Sequence, residues 1–367
     1  MPGRHKVRTV NFAALWWIMG NLRYAAISAA LKAFHAVGGD RLLAPLFRGK
    51  GVILTLHHVL PGGAGPFDPN GILEITPEFL DTLIGFLKAR GYDLARIEEV
   101  PARLRSDGPP FAVLTFDDGY RDNAAFALPV LRRHNCPFTL YVCTGFAEGT
   151  APLWWRDLEE AISHFDSFTV PLPGGRQRFA ARTPEEKSAA FSAVYWALRQ
   201  GPEDRLRATI ADLAASAGID PLDRTRHLCM TWDELRSMAA DPLCTIGAHT
   251  LTHPMLARHG EGLARSEIAE SKRIIEAEIG RDVRHLSYPV GDPTSAGPRE
   301  FALARALGFE TAVTTRPGVL HREHAQHLTA LPRISINGLF QTLPYTSALL
   351  SGLPTLAQNR LRKLNVG

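Results

Sequence analysis

What most constrains this chain is a recurring unit: a short apolar run that ends in polar residues, followed by a segment of helical periodicity. Apolar runs of strand length occupy 51–58 (GVILTLHH), Phe111–Phe116 (FAVLTF), 138–143 (FTLYVC), Cys244–Ala248 (CTIGA), 285–288 (HLSY), 310–315 (ETAVTT) and 330–336 (ALPRISI). The helical segments between them have legible ends. Segment 76–90 starts with Thr76 as cap, Pro77 at the first helical position and Glu78 near the positive end, and Gly91 stops it. Thr231 and Glu234 have capping-box spacing. Gly280 closes 261–279, and Gly308 follows 298–307. Alternation of this kind implies parallel strands joined by crossover helices. The strand count, roughly seven or eight, predicts an α/β fold, a closed or nearly closed barrel, whose chemistry sits at the C-terminal strand ends. Those ends carry His57, His58, Asp117, Asp118, His249, Tyr288 and Pro289.

The rhythm breaks over 151–228. Helical patterns at 155–164, 184–199 and 202–218, with a turn-rich stretch at 171–176, predict a helical insertion that walls or covers the barrel. The domain plan is a basic helical arm at 1–50, a barrel over 51–345 that carries the insertion, and a C-terminal tail at 346–367. A hydrophobic content of 45% is ample for a core of that size. The net charge of +4 is unevenly placed, because residues 1–50 carry eight Lys/Arg and a single acid, Asp40. The body is therefore slightly acidic. A basic arm suits anionic lipid, nucleic acid or an acidic partner, or is a solvated surface. The body has no basic-aromatic module, so no nucleic-acid partner is expected. The apolar run 12–19 has eight residues, against about 20 for a spanning helix. The helical pattern continues through residue 34 with no convincing cleavage point, so an amphipathic helix on the domain or on a membrane surface is expected. Cys136, Cys143, Cys229 and Cys244 form no CxxC pair and read as buried thiols of a reducing compartment. The expectation is a cytoplasmic protein with peripheral membrane contact through its arm.

Two constellations carry chemistry. Asp117 and Asp118 follow a buried strand and precede Gly119, so one can bind a metal while the other faces substrate. A turn whose Asp caps the next helix is the bland alternative. His249 and His253, at i and i+4 on one helical turn, can converge on one ion; two ordinary histidines are the alternative there. Together, Asp118, His249 and His253 make a two-histidine, one-carboxylate set with open positions, the pattern of a catalytic site. Neutral imidazole suits zinc and similar ions. A hydrolytic water would be polarised there, with Asp117 as general base. Trp154 and Trp155 open the insertion as sugar-stacking candidates or, as the favoured reading, core residues.

These residues stand in motifs. Thr115-Phe-Asp-Asp-Gly-Tyr120, His249-Thr-Leu-Thr-His253 and Tyr288-Pro-Val-Gly291, with Leu54-Thr-Leu-His-His-Val59 and Thr231-Trp-Asp-Glu-Leu235, resemble the polysaccharide deacetylases, the NodB-homology group of carbohydrate esterases, over roughly 50–340. The resemblance implies Asp117 as base, Asp118, His249 and His253 as ligands of a divalent metal, and Tyr288 and Pro289 as substrate contacts. It implies a distorted (β/α) barrel that removes acetyl groups from N-acetylated amino sugars (GlcNAc) in an oligo- or polysaccharide. The metal is expected to be Zn2+, with Co2+, Ni2+, Fe2+ or Mn2+ as alternatives. Two departures stand out. Ser287 occupies the place where many members have an arginine that tunes the base. The last strand, Leu331-Pro-Arg-Ile-Ser-Ile336, lacks the histidine that serves as general acid. Arg333 is a candidate charge stabiliser in that strand, and His57, His58 and the histidines at 321, 324 and 327 are candidate acids. Deacylation of another C–N or O-acyl substrate, or silent saccharide binding, remain the alternative functions.

Overall fold

Seven strands close on themselves in the computed structural model, which describes residues 26–62 and 65–366. They are β1 (Gly51–Leu56), β2 (Phe111–Phe116), β3 (Phe138–Val142), β4 (Cys244–Ala248), β5 (His285–Ser287), β6 (Thr311–Pro317) and β7 (Leu331–Ser335). All pair in parallel, in the order β1-β7-β6-β5-β4-β3-β2, and β2 returns to β1 from Gly51↔Phe111 to Leu56↔Phe116. The short strand Asp93–Leu94 pairs with the start of β2. The predicted (β/α) barrel is therefore the observed one.

Side chains alternate across each strand with period two, and the apolar residues sort accordingly into two clusters. Val52, Leu54, Leu56, Ala112, Leu114 and Phe116 pack outward under the helices. Ile53, Phe111, Val113, Tyr141, Val313 and Leu331 fill the interior. This parity decides which strand-end residues can share a site.

The chain enters the barrel after helix α1 (Gly39–Phe47). Helix α2 (Pro77–Ala89) begins as its sequence predicts, with the Phe79 N–H donating to Thr76 Oγ1 at 3.1 Å. Between β3 and β4 in sequence come α3 (Trp154–Ser163), a hairpin pairing Ser167–Leu172 with Gly175–Ala180, then α4 (Pro184–Arg199) and α5 (Glu203–Ser216). The stretch expected to be turn-rich is the tip of that hairpin. Trp154 and Trp155 are buried and pack edge to face, the core role favoured for them. Most of this segment, residues 154–219, forms one compact unit with 65–69, while the barrel belongs to the other unit, which includes 70–153 and 220–366.

Within the barrel unit, α6 (Trp232–Ala239) has the predicted capping box, with Thr231 N–H donating to Glu234 Oε2 at 2.8 Å. Helix α7 (Glu261–Ile279) ends at Gly280 in the left-handed region. After β7 the chain is not a plain tail: α8 (Leu343–Leu350) and α9 (Leu353–Gln358) both pack on α1. Gly352, at φ +80°, permits this approach, because a Cβ there would lie 2.0 Å from the Phe47 carbonyl oxygen. Of the arm expected at 1–50, residues 1–25 lie outside the described residues.

Candidate active site

Parity carries five strands into one site. In β2, Phe111, Val113 and Thr115 face inward, so Asp117 emerges in the same phase. His57 follows Ile53 and Thr55, His249 follows Thr245 and Gly247, and Ser287 follows His285. Arg333 points inward from β7. Gly247 makes room in this interior, since a Cβ there would lie 2.5 Å from the Tyr141 ring.

Asp118 Oδ1, His249 Nε2 and His253 Nε2 converge. His249 Nε2 lies 3.3 Å and His253 Nε2 3.5 Å from Asp118 Oδ1, and all three residues are buried. His249 Nδ1 donates to the Ser287 carbonyl at 2.7 Å. A neutral ring so bonded directs its Nε2 lone pair at the carboxylate, and two lone pairs need a cation or a proton between them. Three ligands about 2.1 Å from one tetrahedral ion stand about 3.4 Å apart. Buried Asp118 Oδ1 accepts no hydrogen bond, as expected of a ligand oxygen. The residues therefore fit a divalent metal. Burial alone would raise the Asp118 pKa, but the neighbouring His249 and His253 rings hold it well below the usual carboxylate range.

The histidine pair is not on a helical turn, contrary to the expectation from i,i+4 spacing. Residues 249–253 form a loop in which Thr250 and His253 have φ of 66° and 58°. Such φ values are costly for non-glycine residues and persist only where the surroundings enforce them. Glu267 of α7 does so. Its Oε2 accepts from the N–H groups of Leu251 and Thr252, each at 2.9 Å, and its Oε1 from Thr252 Oγ1 at 2.7 Å. Phe146 stacks on the His253 ring at 5.7 Å. Asp118 itself has φ 75°, which turns its side chain away from the direction of Asp117.

Asp117 is gripped by Arg333. Nη1 and Nη2 donate to its two oxygens at 2.8 and 2.7 Å. The remaining guanidinium donors go to Thr115 Oγ1, Ser287 Oγ and the Thr314 carbonyl. All five N–H groups of Arg333 are thus used. It is a direct partner of Asp117, and its donors are taken up by the protein. Burial raises the Asp117 pKa, but the Arg333 guanidinium, together with His249 and His57, leaves the carboxyl below its ordinary value. Ser287 donates to Asp117 Oδ2 at 3.2 Å. The cation beside Asp117 is supplied from β7.

Tyr288 and Pro289, the expected substrate contacts, are both buried. Tyr288 is one residue out of phase with Ser287. It is fully buried outside the barrel, with its hydroxyl donating to the Thr329 carbonyl at 2.8 Å. Pro289 is buried beside it, in a turn completed by Val290 at φ 61°. Tyr288 is core, and this motif acts on the site through Ser287. His58 is buried and bonded to Asp122 at 2.6 Å, and His321 and His324 bond within their own loop. His57 is the candidate acid inside the barrel, within electrostatic reach of Asp118, Asp117 and Arg333. Burial pushes its pKa down, against the pull of both carboxylates. Parity is the sequence signal that singles it out, just as the buried stripe Ala264, Glu267, Ile268, Ser271, Ile275 singles out Glu267.

The family profile for polysaccharide deacetylase matches residues 105–312, more than half of the chain. The chain belongs to the polysaccharide deacetylase family. It is accordingly a hydrolase acting on N-acetyl amide bonds, non-peptide C–N bonds. YxkH of Bacillus subtilis, which carries the name of a polysaccharide deacetylase, is 20% identical over 288 residues, covering 78% of this chain and 71% of the relative. Among solved structures, IcaB from Ammonifex degensii superposes with a TM-score of 0.52 at 17% identity, covering 83% of this chain and 98% of that one. A de-N-acetylase from Aggregatibacter actinomycetemcomitans superposes at 0.51 and 15% identity, covering 82% and 99%. At these identities the structures establish the shared barrel fold.

Proposed function

We infer that this deacetylase removes the N-acetyl group of GlcNAc units in an oligo- or polysaccharide, using a divalent metal held by Asp118, His249 and His253. The observation that carries the reading is the convergence of those three ligand atoms beside a carboxylate, Asp117, that is held separately by Arg333. A bound ion, with zinc the best fit to this donor set, supplies Lewis acidity toward the acetyl carbonyl. Asp117 is the general base. Arg333 and Ser287 fix its orientation, and it accepts a proton from the attacking water at a carboxylate oxygen. His57, in its protonated form, is the acid that gives a proton to the departing amine nitrogen. The products are acetate and a free amine. The four buried thiols support the reducing, cytoplasmic setting expected from the sequence.

Acetate release from GlcNAc oligomers, measured beside the metal content of the same samples, tests the reading. Asp117→Asn is expected to keep its metal and lose about 10²-fold or more of turnover, the usual contribution of a positioned general base. Undiminished release removes Asp117 from that role. Release from small amides or O-acetyl sugars, but not from GlcNAc oligomers, moves the substrate assignment.

A further inference from the structure

We propose that the terminal layer built from α1 and the segment after α9 docks on an anionic lipid bilayer. Among the described residues, the four most exposed large apolar side chains are Val37, Leu42, Leu46 and Leu361, at 81, 78, 73 and 74%. All four lie in this layer and none is in the barrel. Leu42 and Leu46 stand one turn apart on the outer face of α1. The inner face is fixed by Asp40, which is buried, accepts from Ser347 of α8 and pairs with His35 at 2.9 Å. That anchor leaves α1 no freedom to turn its leucines inward.

The charged residues next to these side chains in sequence are basic. Lys32, Arg41 and Arg48 stand near the α1 leucines in the chain, and Arg360, Arg362 and Lys363 bracket Leu361, with Glu323 within electrostatic reach of Lys363. Asp40 is the only acid between residues 26 and 50, and it is buried. After Glu323 the sequence contains no further acid. Protruding aliphatic side chains in two stretches of predominantly basic sequence match the two terms of interfacial binding: apolar insertion to headgroup depth and attraction to anionic lipid. A protein partner would need acidic side chains interleaved with apolar ones. A bilayer bearing anionic headgroups supplies both over any area. Among the described residues no helix is long and apolar enough to cross a membrane, so the contact is peripheral.

The test is flotation of the full chain with phosphatidylcholine vesicles, with and without phosphatidylglycerol, at low and high salt. Circular dichroism confirms that each variant folds, so the result does not depend on turnover. Binding is expected only to the anionic vesicles and is expected to fall as salt rises. The Leu42→Asn/Leu46→Asn variant is expected to bind about tenfold more weakly or worse, since two aliphatic side chains no longer insert. Arg360→Gln/Arg362→Gln/Lys363→Gln is expected to weaken binding and flatten its salt dependence. Failure to float with anionic vesicles overturns the proposal. So does undiminished binding by the leucine variant, which would assign the contact to residues 1–25. Conversion of a dimer to a monomer by that variant, with flotation unchanged, would assign the face to a second copy.

Discussion

Replacing Arg333 by methionine removes a buried cation and leaves its partner in place. Asp117 then keeps its buried position with Ser287 Oγ, at 3.2 Å, as its one remaining side-chain donor. The two shortest bonds to its oxygens, at 2.8 and 2.7 Å, are gone. Breaking a buried pair from one side costs about 3–5 kcal/mol, because an uncompensated charge remains in a low-dielectric interior. Methionine fills much of the arginine stem's volume, so the cavity term stays small. Removing both charges, in Arg333→Met/Asp117→Asn, is expected to restore most of that loss, with a coupling energy of about 2 kcal/mol or more. Equilibrium urea unfolding of the wild type, both single variants and the double variant, followed by far-UV circular dichroism, closes the cycle. If Arg333→Met loses less than about 1 kcal/mol, or the double variant is no more stable than Arg333→Met, the pair is not the electrostatic unit described here.

Three further outcomes are expected. Glu267→Ala releases two backbone N–H groups and the Thr252 hydroxyl that hold the 249–253 loop, and is expected to lower metal affinity about 10–100-fold in chelator competition; unchanged affinity would show that the loop holds its shape without Glu267. Gly247→Ala places a methyl against the Tyr141 ring and, at 2.9 Å, the His285 carbonyl oxygen, and is expected to destabilise by about 1–3 kcal/mol in urea unfolding. His324 is a buried ring whose Nδ1 accepts from the His321 N–H at 2.9 Å, and burial, aided by His321, pushes its pKa down to about 4. The unfolded ring binds a proton more readily, so stability is lost as pH falls from about 6.5 toward 4. His324→Asn, which keeps an acceptor but does not titrate, is expected to flatten that part of the stability–pH curve; an unchanged curve refutes the assignment.

Much of this was legible in the sequence, because the strands that build the barrel are apolar on both faces and end in polar residues. Asp117, Asp118, His249 and His253 stand out for that reason, as does Arg333 as the lone cation of the last strand. What the motifs could not convey was direction. Tyr288 and Ser287 are neighbours on one strand, and a one-residue step sends the tyrosine into the helical layer and the serine to Asp117. The i,i+4 histidines fit a helix equally well on paper; the loop they occupy depends on Glu267, 14 residues beyond His253. The hairpin between α3 and α4 is hard to tell from turns in the sequence because its second strand, Gly175–Ala180, is polar and almost wholly exposed. It therefore lacks the alternation that marks a half-buried strand.

The clasp on Asp117 comes from the last strand of the barrel, and that has a consequence for how the chain is made. Synthesis delivers Asp117, Asp118, His249 and His253 in turn, yet the cation that makes burial of Asp117 tolerable emerges only with residue 333. Until then the carboxylate is best left in water, and the gap between β1 and β6 stays open. Insertion of β7 pairs Leu54 with Ile334 and brings Arg333 to Asp117 in one movement. Closing the ring and arming the base are then a single late event, so a chain released before that strand would carry every metal ligand and still have no finished active site.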